Sequence, residues 1–190
     1  MVFFKMKEES GQQDSGNEQG CDPEDAYDMG LRDLSERVET RQRIYKVARN
    51  ACFHIGAKFH EIRPSSTITL DMDVKAQFQS ITIHLKAKRN GLLIYGIFPL
   101  KGSAECEDRL IRYLTLANRG LLDGCFDYDH EEGKIRYKCW LPVYAELNEE
   151  AVKTEIMTCA NMLVRYGDGL ANVLIAKADP DEEISLIDGK

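Results

Sequence analysis

The sequence predicts an α+β domain: an antiparallel sheet of about five strands with helices packed on one face, in the order α-β-β-β-α-β-β-α. Two observations carry this expectation. The spacing of apolar residues switches between the 3.6-residue period of a helix and the two-residue period of a strand, and the alternating stretches each keep one polar face. A chain of 190 residues is long enough to bury a single core without staples or metals.

The elements follow in order. Glu8 to Asp28 is almost free of apolar residues and cannot repay the entropy of ordering, so residues 1–33 are expected to form an acidic, disordered arm. From Leu34 the residues Val38, Tyr45, Ala48, Cys52 and Ile55 make a helical stripe, with Arg37, Arg41, Arg43, Lys46 and Arg49 around it and Gly56 as a stop. Ile68, Leu70, Met72 and Val74, then Ile81, Ile83, Leu85 and Ala87, alternate with polar residues as half-buried strands do. Asn90-Gly91 reads as a type I′ hairpin pair, and Leu92–Phe98, apolar on both faces, as the central strand.

After Pro99, Ser103 is placed to cap a second helix with Glu105 and Glu107 at its positive end; Cys106, Leu110, Tyr113, Leu114 and Ala117 form its stripe. Two more strands are expected at about 124–129 and 134–141, the second alternating Ile135, Tyr137, Cys139 and Leu141 with Arg136, Lys138 and Trp140. Asn148 caps a last long helix in which Gly167 and Gly169 mark a kink or a close backbone contact. The domain spans 34–176, and 177–190 reads as an acidic C-terminal tail.

Charge is unevenly spread over a net −7. Residues 1–33 hold nine carboxylates against three cations and 177–190 five against two, which leaves the body at +2. An acidic chain is a poor generic partner for nucleic acid, and no run approaches the roughly 18 apolar residues of a membrane span. The opening Met1-Val2-Phe3-Phe4-Lys5 lacks the order of a secretory signal, so a cytoplasmic protein is expected. The six cysteines show no CxxC spacing and read as free thiols, most of them buried, with no metal and no cofactor.

The segments Asn90–Lys101, Leu116–Asp129 and Gly133–Tyr137 resemble the YbjN family of bacterial proteins over about residues 34–176. The family is described as regulators of sensory transduction with a fold like that of type III secretion chaperones. The resemblance implies a non-enzymatic adaptor that dimerises or holds another polypeptide, and it carries no catalytic residues over to this chain.

The residues themselves offer little chemistry. His54, His84 and His130 have plain structural places, at a helix end, on a polar strand face and in a turn; no phosphate loop is present, and Asp127, Asp129, Glu131 and Glu132 lack calcium-loop spacing. What stands out is a basic strand face, Arg136, Lys138 and Trp140, joined by His84 and Lys86 from a neighbouring strand, on the side of the sheet expected to be left uncovered. These five residues are the candidate polypeptide-binding surface. The alternative is a small-molecule sensor or enzyme with a pocket between sheet and helices, and a third reading has an acidic end folding over the basic body.

Overall fold

A computed structural model describes residues 23–62, 65–144 and 147–189, with side chains from Leu34 onward except at Asp188. The chain divides into two compact units, Met1–Ser35 and Glu36–Lys190. In the first, the backbone is helical from Pro23. The first 22 residues of the expected acidic arm lie outside the described residues, whereas 23–33 belong to the first helix.

Among the described residues the fold is α+β, with one antiparallel sheet and four α-helices. In order these are α1 (Pro23–Ile55), β1 (Phe59–Ile62), β2 (Thr67–Asp73), β3 (Ser80–Ala87), β4 (Gly91–Lys101), α2 (Glu107–Arg119), β5 (Cys125–Asp129), β6 (Lys134–Pro142), α3 (Glu149–Ala171) and α4 (Pro180–Asp188). The sheet has six strands rather than five, in the order β1-β2-β3-β4-β6-β5. The added strand, β1, pairs Phe59 with Leu70 and Ile62 with Thr67.

One face of this sheet makes the core. Ile68, Leu70, Ile83, Leu85, Ile94, Ile135 and Tyr137 are buried with Ile44, Ala48 and Cys52 of α1, Leu110 and Tyr113 of α2, and Ile156, Cys159 and Leu163 of α3. These are the inward residues of the two-residue and 3.6-residue periods. Burial of each aliphatic side chain is worth about 1.5–3 kcal/mol. Helix α3 crosses β4 so closely that a methyl group at Gly96 would run into Leu163 Cδ1 and come within 3.0 Å of Cys159 Sγ. Gly167 and Gly169 let α3 pass Phe78 and the Tyr113 hydroxyl, and the helix continues through both to Ala171 before a π-helical turn at Asn172–Ala176.

Polar contacts tie the helices to this frame. Asn50 and His54 near the end of α1 bind the Glu149 carboxylate in the first turn of α3, at 3.0 and 2.6 Å. The Asn50 amide acts most strongly in holding that carboxyl below its usual range; burial is the next effect and opposes it, and His54 and then Lys153 add to the lowering. At the sheet edge, Asn118 of α2 receives the Phe126 N–H at 2.7 Å and donates to the Phe126 carbonyl at 3.0 Å, which occupies backbone groups that an edge strand would otherwise present to another chain.

Four further sequence expectations need correction. The first helix begins eleven residues before Leu34. The α2 helix begins a turn later than Ser103, with Cys106 at its N-cap and no capping side chain. The hairpin turn between β3 and β4 centres on Arg89-Asn90, because Lys88 N–H donates to Gly91 O at 2.9 Å; neither Asn90 nor Gly91 takes the positive φ of a type I′ turn. Finally, the C-terminal stretch contains α4, whose N-cap Asp179 accepts from the Asp181 and Glu182 amides, and whose Ile184 is buried. Arg112 clasps Asp181 through two hydrogen bonds of 2.5 and 2.7 Å, so this acidic end packs against α2 and α3 on the helical side of the sheet.

If the α3–β4 approach holds the layers together, Gly96→Ala will lower stability by about 1–3 kcal/mol, the usual cost of overpacking. Urea denaturation checks this, and an unchanged midpoint would show that the two elements do not pack as closely as described.

Candidate functional site

Among the described residues, the opposite face of the sheet carries no helix on its central strands. Its residues fall into three cross-strand rows set by the register. Asp71, Thr82, Ile97, Arg136 and Asp127 form one; Thr69, His84, Tyr95, Lys138 and Cys125 the next; Thr67, Lys86, Leu93 and Trp140 the third. All five candidate residues, Arg136, Lys138, Trp140, His84 and Lys86, therefore share this face. Arg136, Lys138, His84 and Lys86 are half-buried, and Trp140 is 48% exposed.

The strand β4 departs from its sequence reading in an informative way. It is central, but its second apolar set, Leu93, Tyr95 and Ile97, lies half-exposed on the uncovered face while Leu92, Ile94 and Phe98 are buried on the other. These three residues escaped the sequence search because two apolar faces on a strand suggest burial on both sides. The indole of Trp140 leans over Gly91, where an added Cβ would stand 2.7 Å from Cζ2, so the glycine makes room for the ring.

The cations are less free than the sequence suggested. Arg136 bridges Asp127 at 2.9 Å and Asp129 at 3.2 Å, and Lys138 reaches Asp127 at 3.2 Å. The turn carboxylates thus serve as partners for the β6 cations across the hairpin, and Lys134 likewise pairs with Glu132 at 2.5 Å. Lys86 and Lys88 have no such partner among the described residues. They supply the uncompensated positive charge on this face.

His84 sits at the middle of the face. Its ring stacks on Tyr95 with centroids 5.0 Å apart and planes at 21°, and Nδ1 lies 2.9 Å from the Thr69 hydroxyl. Burial pushes its pKa down, opposed by the Asp71 charge and assisted by that of Lys134. Burial thus favours the neutral imidazole, a flat, partly apolar element of the surface.

Two surface hollows open on this side. One, of about 310 Å³, is lined by Lys86, Lys88, Leu93, Tyr95, Arg136 and Lys138, with Asp127 at its wall. The other, of about 350 Å³, lies beyond the start of β5, between Leu122, Trp140 and Glu155, and shares Leu93 and Lys138 with the first. The centre of the layer between sheet and helices is filled by buried side chains such as Ile83, Ile94, Tyr137, Ile156 and Leu163, and a hollow of about 420 Å³ lies at its rim, between Arg43 and Val47 of α1 and Val143, Leu147 and Asn148 ahead of α3.

Of the cysteines, Cys52, Cys106, Cys139 and Cys159 are buried and Cys125 is half-buried; all five are free thiols, and Cys21 lies outside the described residues. Burial pushes the Cys52 thiol up to about 11, away from nucleophilic use. No group of three or more His, Cys, Asp or Glu among the described residues is arranged to hold a metal ion. No described helix is long and apolar enough to cross a membrane.

The lowered pKa of His84 makes a signed prediction. As pH falls, the unfolded chain takes up this proton before the folded one does. The stability owed to neutral His84 is therefore complete above the ordinary value of about 6.5 and is lost as pH falls from there through the lowered folded-state value. An NMR titration of the ring will give a midpoint below that of an exposed histidine, and His84→Gln will flatten the pH dependence of the urea midpoint in this window. A midpoint at or above the ordinary value would contradict the burial of the ring. Compared with known proteins, the chain matches no family model, no curated protein and no solved structure.

Proposed function

We propose that this chain is a non-enzymatic binding module, chaperone-like or regulatory, whose uncovered sheet face engages another polypeptide, either a second copy or a different chain. The observation that carries the reading is the cluster of half-exposed Leu93, Tyr95, Ile97 and Trp140 on two adjacent central strands, bordered by Lys86, Arg136 and Lys138. Aromatic and arginine side chains beside apolar ones are the usual anchors of protein interfaces, because they bury much area for little lost rotamer freedom.

The face is favoured over the β5 edge. There, Asn118 occupies both the N–H and the carbonyl of Phe126, leaving less backbone for an added strand. The resemblance of residues 34–176 to the YbjN family points in the same direction, towards an adaptor that holds a polypeptide. A cytoplasmic setting suits a chain whose described cysteines are all free thiols.

A photo-crosslinking amino acid placed at Leu93 in the intact protein tests this reading, with the same group at the exposed Met157 of α3 as the control. Crosslinks to a polypeptide are expected from position 93 and not from 157, and Trp140→Ala will weaken them by about tenfold or more, as truncating an interface anchor does. Equal crosslinking from both positions, or none from 93, would remove the sheet face as the binding surface.

A further inference from the structure

The two hollows on the uncovered face share Leu93 and Lys138 in their linings, so they lie side by side and together make a trough-shaped surface. It runs across the strands rather than along them, from Lys86 on β3 over Leu93 on β4 to Trp140 on β6. Its two ends differ in chemistry. At the β3 end the ammonium groups of Lys86 and Lys88 have no ion-pair partner among the described residues, whereas Arg136 and Lys138 in the middle are already matched by Asp127 and Asp129. At the far end, Leu122 is 99% exposed and Trp140 48%, and together they offer a large apolar surface.

We propose that the occupant of this trough is an extended polypeptide segment that places an acidic side chain between Lys86 and Lys88 and a large apolar side chain against Trp140 and Leu122. The proposal rests on the binding-module reading above and names the partner's chemistry. Charge complementarity selects the acidic end, since only there is positive charge uncompensated. Two strand spacings of about 4.8 Å separate Lys86 from Trp140, a distance that an extended chain covers in about three residues. Crossing the strands, the segment is recognised through side chains.

The test uses the full chain and short fluorescein-labelled synthetic peptides. One bears two adjacent glutamates with a phenylalanine three residues on; a second replaces the glutamates by lysines; a third replaces the phenylalanine by serine. Anisotropy measures binding, and the emission of Trp140, the only tryptophan, reports where the peptide sits. The glutamate–phenylalanine peptide is expected to bind and shift the tryptophan emission, with both other peptides weaker by about tenfold or more. The double variant Lys86→Glu/Lys88→Glu and high salt should each weaken it similarly, because the attraction is between screened surface charges. Circular dichroism of the variants establishes that they remain folded.

If the glutamate–phenylalanine peptide fails to bind, if the lysine peptide binds as well, or if the double variant leaves affinity unchanged, the acidic-partner inference is overturned. In any of these cases, crosslinking from Leu93 that Trp140→Ala still weakens would leave the open-face reading standing. Loss of both results removes the two together.

Discussion

The architecture depends on one constraint, that an antiparallel sheet alternates its side chains between two faces and that, among the described residues, the helices cover only one of them. Everything bulky and inward-facing on β2, β3, β4 and β6 meets α1, α2 and α3 on that side. The covered face thus takes the hydrophobic stabilisation, and the other face is released from packing duty. It can carry side chains that the core does not require. Close approach of α3 to Gly96 and the clasp of Asn50 and His54 on Glu149 maintain this division by fixing the helical layer against the sheet.

The open face is itself arranged by the register. Cross-strand neighbours bring His84 beside Tyr95, Arg136 beside Asp127, and Leu93 beside Trp140, so a mixed surface emerges in which ion pairs, a neutral stacked imidazole and apolar side chains lie in successive rows. Pairing of Arg136 and Lys138 with the β5 carboxylates lowers the charge at the centre and leaves it at Lys86 and Lys88. A surface with charge at one end and apolar area at the other is directional, which a uniformly basic face would not be.

Much of the fold was legible because alternation is a local signal. Ile81, Ile83, Leu85 and Ala87 could face only one way once their polar neighbours were assigned to water, and each is buried. The missed elements lacked that signal. With four residues, β1 has too few alternations to register, and α4 carries few apolar residues amid its acids, although Asp179-Pro180 followed by acidic residues is a good helix start that charge counting obscured. The five candidate residues could be placed on one face from period alone, but their ion pairs could not. That Asp127 stands opposite Arg136 depends on the four-residue turn between the strands, and the hairpin at Arg89-Asn90 shows how a one-residue error in a turn changes which residues meet. Tyr95 and Leu93 were hidden for a different reason, since an apolar residue facing water looks in sequence like one facing the core.

The account turns on Tyr95 and Trp140 being accessible while the aromatics of the other face are not. Hydroxyl-radical footprinting of the isolated chain, read residue by residue by mass spectrometry, tests this directly. Trp140 and Tyr95 are predicted to be oxidised readily and Tyr113, Tyr137 and Tyr166 to be protected, in keeping with their burial. Protection of Trp140 and Tyr95 together with the buried tyrosines would contradict the one-sided sheet and the surface built on it.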